Sequence, residues 1–146
     1  MGTAQASDAL ENLFIDHLFR TAAWAKPTAL WIALFTSAPS DAGGGVEVSS
    51  GAYVRVNLPP GDANWTATQG GTTGVSIGTG GMTSNASAIT FPAPSADWGT
   101  VGWFGLFTAS SGGTLLVWDA LLAPRTILSG DPAPSFQPGS LQITIQ

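Results

Sequence analysis

Residues 97–122 read DWGTVGWFGLFTASSGGTLLVWDALL and carry the strongest strand signal in the chain. Two apolar runs, 100–108 and 114–122, flank a short linker, ASSGG, at 109–113. Both runs are rich in aromatic and branched residues, and the two linker glycines tolerate positive φ. This pattern predicts a hairpin with a five-residue loop. In the first run Val101, Trp103, Gly105 and Phe107 alternate with Gly102, Phe104 and Leu106. In the second, Leu115, Val117, Asp119 and Leu121 oppose Leu116, Trp118, Ala120 and Leu122. Neither run has a polar face, so both faces are expected to be covered, by the chain itself or by a neighbouring copy. Trp103, Phe107, Leu116 and Trp118 are expected to be mostly buried.

Outward from the hairpin, the flanking segments read as short strands between turns. Residues 88–91 precede Pro92 and Pro94, and residues 124–128 follow with Arg125 near their start. At the C-terminus Leu141, Ile143 and Ile145 alternate with Gln142, Thr144 and Gln146, a one-sided strand whose polar face should meet water. Upstream, residues 29–36 (ALWIALFT) form a buried strand candidate bracketed by Pro27 and Pro39. Residues 46–48 and 52–58 read as two further strands, the second stopped by Pro59 and Pro60.

The N-terminal part differs in period. Leu10, Leu13, Phe14, His17 and Leu18 follow helical spacing, with Ile15, Phe19 and Ala22 as a second stripe. Ser7 or Asp8 can cap this helix, and Asp8 with Glu11 has capping-box spacing. A helix over 8–23 is expected, after an arm at 1–7. Seven or eight short strands with one helix predict a mainly β fold. The expected architecture is an antiparallel β-sandwich or flattened barrel with one N-terminal α-helix, in a single domain over 1–146.

Residues 62–87 stand apart. They are rich in glycine, serine and threonine, with Trp65, Val75, Ile77 and Met82 as isolated apolar residues. Two readings fit: an excursion that packs on a partner chain, or a surface loop with two weak edge strands. On the first reading Trp65, Met82, Val75 and Ile77 are the partner-contact candidates, with Trp65 and Met82 as anchors.

Composition narrows the function. Only 9% of the 146 residues are charged, against about 25% in ordinary soluble domains. Such a surface suits a chain that contacts other chains, so homo-oligomerisation is expected. The net charge of −5 and four scattered cations leave no basic track for nucleic acid. No apolar run is long enough to span a bilayer and no signal peptide is read, so no membrane partner is expected and synthesis belongs in the cytoplasm.

Catalytic chemistry has little to draw on. There is no cysteine and one histidine, His17, expected to pack at the edge of the core. Metal clusters and nucleophile–imidazole pairs therefore lack material. The aspartates beside Gly, Ser or Pro read as turn formers, and the glycine-rich stretches lack the lysine of a phosphate loop. No enzyme activity, metal or cofactor is expected. Asp119, inside an apolar run, is expected either to pair with Arg125 or Arg55 or to lie in water at a strand end.

Several segments in a fixed order carry a family resemblance. They are LWIALFTSAPSDAGGGVEVSSGAYVRV (30–56), SNASAITFPAPSADWGTVGWFGLFTASSGGTLLVWDAL (84–121) and SGDPAPSFQPGSLQITI (129–145). Together they resemble small virion proteins of tailed bacteriophages, over nearly the whole chain except 66–83. The resemblance implies a structural virion protein with no catalytic residues. It is read first as a capsid decoration (cement) protein on the capsid surface, a homotrimer bound to the major capsid protein. The alternatives are a tail or tail-fibre component and, outside the virion, a carbohydrate-binding module. Tryptophans exposed along a groove would favour the module.

Overall fold

The computed structural model describes residues 4–145. In chain order the elements are β1 (Gln5–Ala6), α1 (Asp8–Phe19), β2 (Trp31–Ser37), β3 (Val46–Glu47) and β4 (Val56–Asn57). They continue with β5 (Met82–Ser84), β6 (Ile89–Thr90), β7 (Gly99–Phe107), β8 (Leu115–Ile127), β9 (Ser135–Phe136) and β10 (Gln142–Thr144). The expected hairpin is β7–β8, and it forms the centre of a six-stranded antiparallel sheet ordered β1-β8-β7-β2-β3, with β4 also on β2. Two small ladders, β5–β10 and β6–β9, complete the β structure. The fold is thus mainly β and sandwich-like, with one N-terminal helix.

Strand alternation divides the apolar residues between two clusters. Ile32 and Leu34 of β2, Phe104 and Leu106 of β7 and Val117 of β8 face the main core. Ile89, Phe91, Leu141 and Ile143, from or beside the small ladders, close over them. On the opposite face Ala33, Phe35, Phe107 and Leu115 pack with half-buried Trp31, Trp103 and Trp118. This explains why residues 29–36 and the hairpin are apolar on both faces: each covers two clusters. Phe107 and Leu116 are buried as expected, whereas Trp103 and Trp118 are only half-buried. Gly105 lies between Phe35 and Phe107, whose rings stack at 6.1 Å. A Cβ there would come within 2.9 Å of Leu115 Cδ1, 3.0 Å of Phe35 Cε2 and 3.1 Å of Phe107 Cε2, so glycine leaves room for these side chains to meet.

Several boundaries differ from the sequence reading, each for a local reason. Residues 124–128 are not a separate strand but the end of the long β8. Val101 pairs with Arg125 and Trp103 with Ala120, so residues 121–124 stand opposite Gly102 alone. A bulge of this size accommodates Pro124, which cannot donate to a ladder, and turns Leu122 out to solvent. The strand expected over 52–58 shrinks to β4, because Gly51 (φ +57°) starts a turn that carries residues 52–55 around Glu47. Ile145, expected inside, is exposed, while Leu141 and Ile143 are buried; Gln146 lies outside the described residues.

The N-terminal arm expected at 1–7 is tied down where it is described; residues 1–3 lie outside the described part. β1 pairs with β8 through Gln5 opposite Trp118 and Ala6 opposite Val117, and Ala4 is buried. Ser7 is the N-cap of α1: its Oγ accepts the Leu10 N–H at 3.2 Å and donates to the Leu115 carbonyl. The helix ends at Phe19 rather than 23, with Arg20 extended and its N–H bonded to the Asp16 carbonyl. Trp24 N–H then donates to His17 Nδ1 at 3.1 Å. His17 is exposed, so it fastens the chain leaving the helix instead of packing at the core.

Candidate functional site

Three places gather polar or unburied groups, and the first lies in the stretch EVSSGAYVR, residues 47–55. The Gly51 turn brings Tyr53 and Arg55 back onto Glu47. Arg55 grips Glu47 with two bonds, Nε to Oε1 at 2.8 Å and Nη2 to Oε2 at 2.7 Å. Its Nη1 donates to the carbonyls of Ala109 and Gly112, at 2.9 and 2.8 Å, in the hairpin loop. The guanidinium also lies 3.7 Å from the Phe107 ring centroid. Tyr53 Oη donates to Glu47 Oε1 at 3.0 Å and accepts the Leu34 N–H at 2.9 Å. Burial, with the Glu47 carboxylate beside it, pushes the Tyr53 phenol well above its usual value. An adjoining cleft of about 600 Å³ is lined by Asp41, Gly43–Gly45, Glu47, Arg55 and Leu115, among others.

This cluster can brace but has nothing poised to react. Every guanidinium contact is to a fixed group, the phenol is held neutral, and the carboxylate accepts three hydrogen bonds from these two side chains. Glu47 and Arg55 thus staple the loop of the central hairpin to the edge of the sheet. Asp119, considered above as a partner for Arg55 or Arg125, pairs with neither. Arg55 is taken by Glu47, and Asp119 is buried with Oδ1 accepting the Ala120 N–H at 2.8 Å. Its Oδ2 has no protein partner among the described residues.

The second place is the excursion over residues 62–87. Its roots are well held. Trp65 is half-buried against the main core, donates Nε1–H to the Leu58 carbonyl at 3.3 Å and bridges to Asn85. Asn85 is fully buried: Oδ1 accepts the Leu141 N–H at 2.9 Å, and Nδ2 donates to Ser87 and Gln137 carbonyls at 2.8 and 2.9 Å. Between these roots the tip is exposed but internally bonded. Gln69 Nε2 donates to the Val75 carbonyl at 2.9 Å, and its Oε1 accepts the Ile77 N–H at 3.0 Å. Val75 and Ile77 project into solvent from this loop, and Met82 is partly exposed in β5. The four contact candidates are therefore split. Trp65 is turned into its own protomer, Val75 and Ile77 share the tip, and Met82 sits apart on the β5–β10 ladder.

The third place is α1, whose two apolar stripes lead one to expect a packed face. No residue of α1 is buried. Leu10 packs against the main core and Leu13 is half-buried, but Phe14, Ile15, Leu18 and Phe19 are exposed. Helical periodicity identifies an apolar face but does not say what covers it. The available signal was the width of that face, wider than one sheet edge can bury.

Trp98 is buried and the other five tryptophans are half-buried, so none stands fully open as a ring for stacking a sugar. Among the described residues no group of three or more His, Asp or Glu is placed to hold a metal ion, and no helix is long and apolar enough to cross a membrane.

A family model described as Podophage GP4 fiber I protein gp80 matches residues 5–144. No curated protein matches the chain. The match supports a structural virion protein of a tailed phage. It overturns the capsid decoration reading in favour of the fibre alternative. The low charge that suggests contact with other chains suits a capsid clamp and a fibre joint equally, so composition does not separate the two.

Proposed function

Because the chain belongs to the family of the podophage GP4 fibre I protein gp80, we propose that it is a fibre subunit carried on the tail of a podophage. The observation that carries this reading is a family match extending over residues 5–144, which includes the helix, all the strands and the excursion. The geometry is consistent with a structural part. The central sheet is braced by a satisfied ion pair, and unburied apolar side chains stand on α1 (Phe14, Ile15, Leu18, Phe19), on the excursion tip (Val75, Ile77) and on the β8 bulge (Leu122). In this reading the subunit works as a closed homotrimer, a symmetry that suits a projecting fibre. The Val75–Ile77 tip is a contact offered to other chains or to the host surface.

The test is genetic and structural. Particles made without this protein should have intact, DNA-filled heads and lack one set of tail appendages, which complementation restores. Heads that leak or burst, with tails of normal appearance, would overturn the assignment.

A further inference from the structure

Residues 4–19 form a unit attached to the body of the protein at one seat. β1 pairs with the outer edge of β8 through only two residues, Gln5 opposite Trp118 and Ala6 opposite Val117. Ser7 N–H donates to the Leu116 carbonyl at 2.9 Å, and Asp8 N–H to the Asp41 carbonyl at 3.0 Å. Ala4 and Ser7 are buried there, but no residue of α1 is. The seat thus holds the unit mainly through its backbone, as a sheet edge accepts an added strand. It lies on the far side of β7 from β2, the strand to which the chain next runs.

The connection between the unit and β2 is loose. Trp24 is fixed by His17, and Leu30 by its carbonyl, which accepts the Leu58 N–H at 2.9 Å. Between them the backbone groups of residues 25–29 (AKPTA) have no hydrogen-bond partner among the described residues. Pro27 restricts Lys26 to extended backbone, and the segment can span up to about 20 Å. Residues 25–29 are therefore a hinge between a lightly seated unit and the body.

We infer that in the assembled fibre residues 4–19 are exchanged, each copy laying its β1 and α1 on the β8 edge of the next; this rests on the homotrimeric fibre reading above. The occupant is the one the structure shows on the seat. Every copy carries an identical seat, so the same bonds and buried contacts form when the donor is a neighbour, and no new complementary surface is needed. The cost is confined to turning the hinge. Copies in a fibre stand side by side, so a neighbour's seat is met at an effective concentration comparable to the chain's own. Exchange turns a slight attachment within one chain into three links that close a ring of copies.

The chain has no cysteine, so a disulfide can report whose seat is filled. Ala6 and Val117 face each other in the ladder. Facing residues of antiparallel strands have Cα atoms about 4.5–5.5 Å apart, a separation that a disulfide bridges. The full-length single variants Ala6→Cys and Val117→Cys, co-expressed and mildly oxidised, should give a covalent dimer that neither variant gives alone. The double variant Ala6→Cys/Val117→Cys should run as a covalent trimer on a non-reducing gel. Gln5→Cys with Trp118→Cys, the other facing pair, gives the same readout if the first pair does not fold. Links only within single chains, in a protein that sediments as a trimer, overturn the exchange and leave the trimeric fibre standing. Links only within single chains in a wild-type monomer overturn the exchange and the trimer, but not membership of the fibre family. Covalent rings of another size support the exchange and overturn the trimer.

Discussion

At the scale of single residues, the chemistry in this protein is spent on bracing. Arg55 is the clearest case: a nearly buried guanidinium meets a carboxylate, two carbonyls and an aromatic face. Removing one partner of such a pair leaves the other charge buried and unpaired. Glu47→Gln is expected to cost about 2–4 kcal/mol in urea unfolding, the lower part of that range reflecting the partial exposure of Glu47. Arg55→Lys should recover little of the loss of Arg55→Ala, because an ammonium cannot reproduce the fork. Tyr53 gives a second test. Its phenol is raised by burial, so the folded state holds the proton that the unfolded chain releases near pH 10. The corresponding stability is fully present below about pH 10 and falls above it, by about 1.4 kcal/mol per pH unit from this group. As Tyr53 is the only tyrosine, tyrosinate absorbance in an alkaline titration should appear together with loss of the fold. Tyrosinate formed while the near-ultraviolet circular dichroism is still native would contradict the geometry.

At the scale of elements, the parts with strong periodicity were legible and the parts shaped by contacts were not. The β7–β8 hairpin, the buried β2 and the alternation of Leu141 and Ile143 follow from period-two patterning with turn residues at the ends. The β8 bulge was not legible, because Pro124 reads as a break and only the offset between Val101–Arg125 and Trp103–Ala120 turns it into a continuation. Nor was the Glu47–Tyr53–Arg55 brace, which depends on a positive-φ glycine returning the chain on itself. The excursion was recognised as unable to form core, but its anchoring was hidden in Asn85, a buried amide with no pattern to announce it. That anchoring limits which residues can be removed. Met82–Ser84 pair with β10, and Gly81 accepts the Ile145 N–H, so these must stay. Replacing residues 70–79 by a short glycine–serine link is expected to shift the thermal midpoint by no more than a few degrees, since the removed tip buries nothing in the core. A large drop in calorimetry would mean that the tip supports the fold.

At the scale of the whole molecule, sparse charge and apolar runs pointed to a life among other chains, and the ordered segments pointed to a tailed-phage virion. The place within the virion was not legible, because capsid clamps and fibre joints need the same surface: few charges and apolar patches open to a neighbour. The family match at residues 5–144 supplied the fibre assignment. The most direct measurement of that claim is a reconstruction of the intact virion at a resolution that separates strands, with the tail treated without imposed head symmetry. The expected result is density for the six-stranded sheet and its helix in appendages on the tail. Density for this fold over the head shell, with none on the tail, would contradict the account.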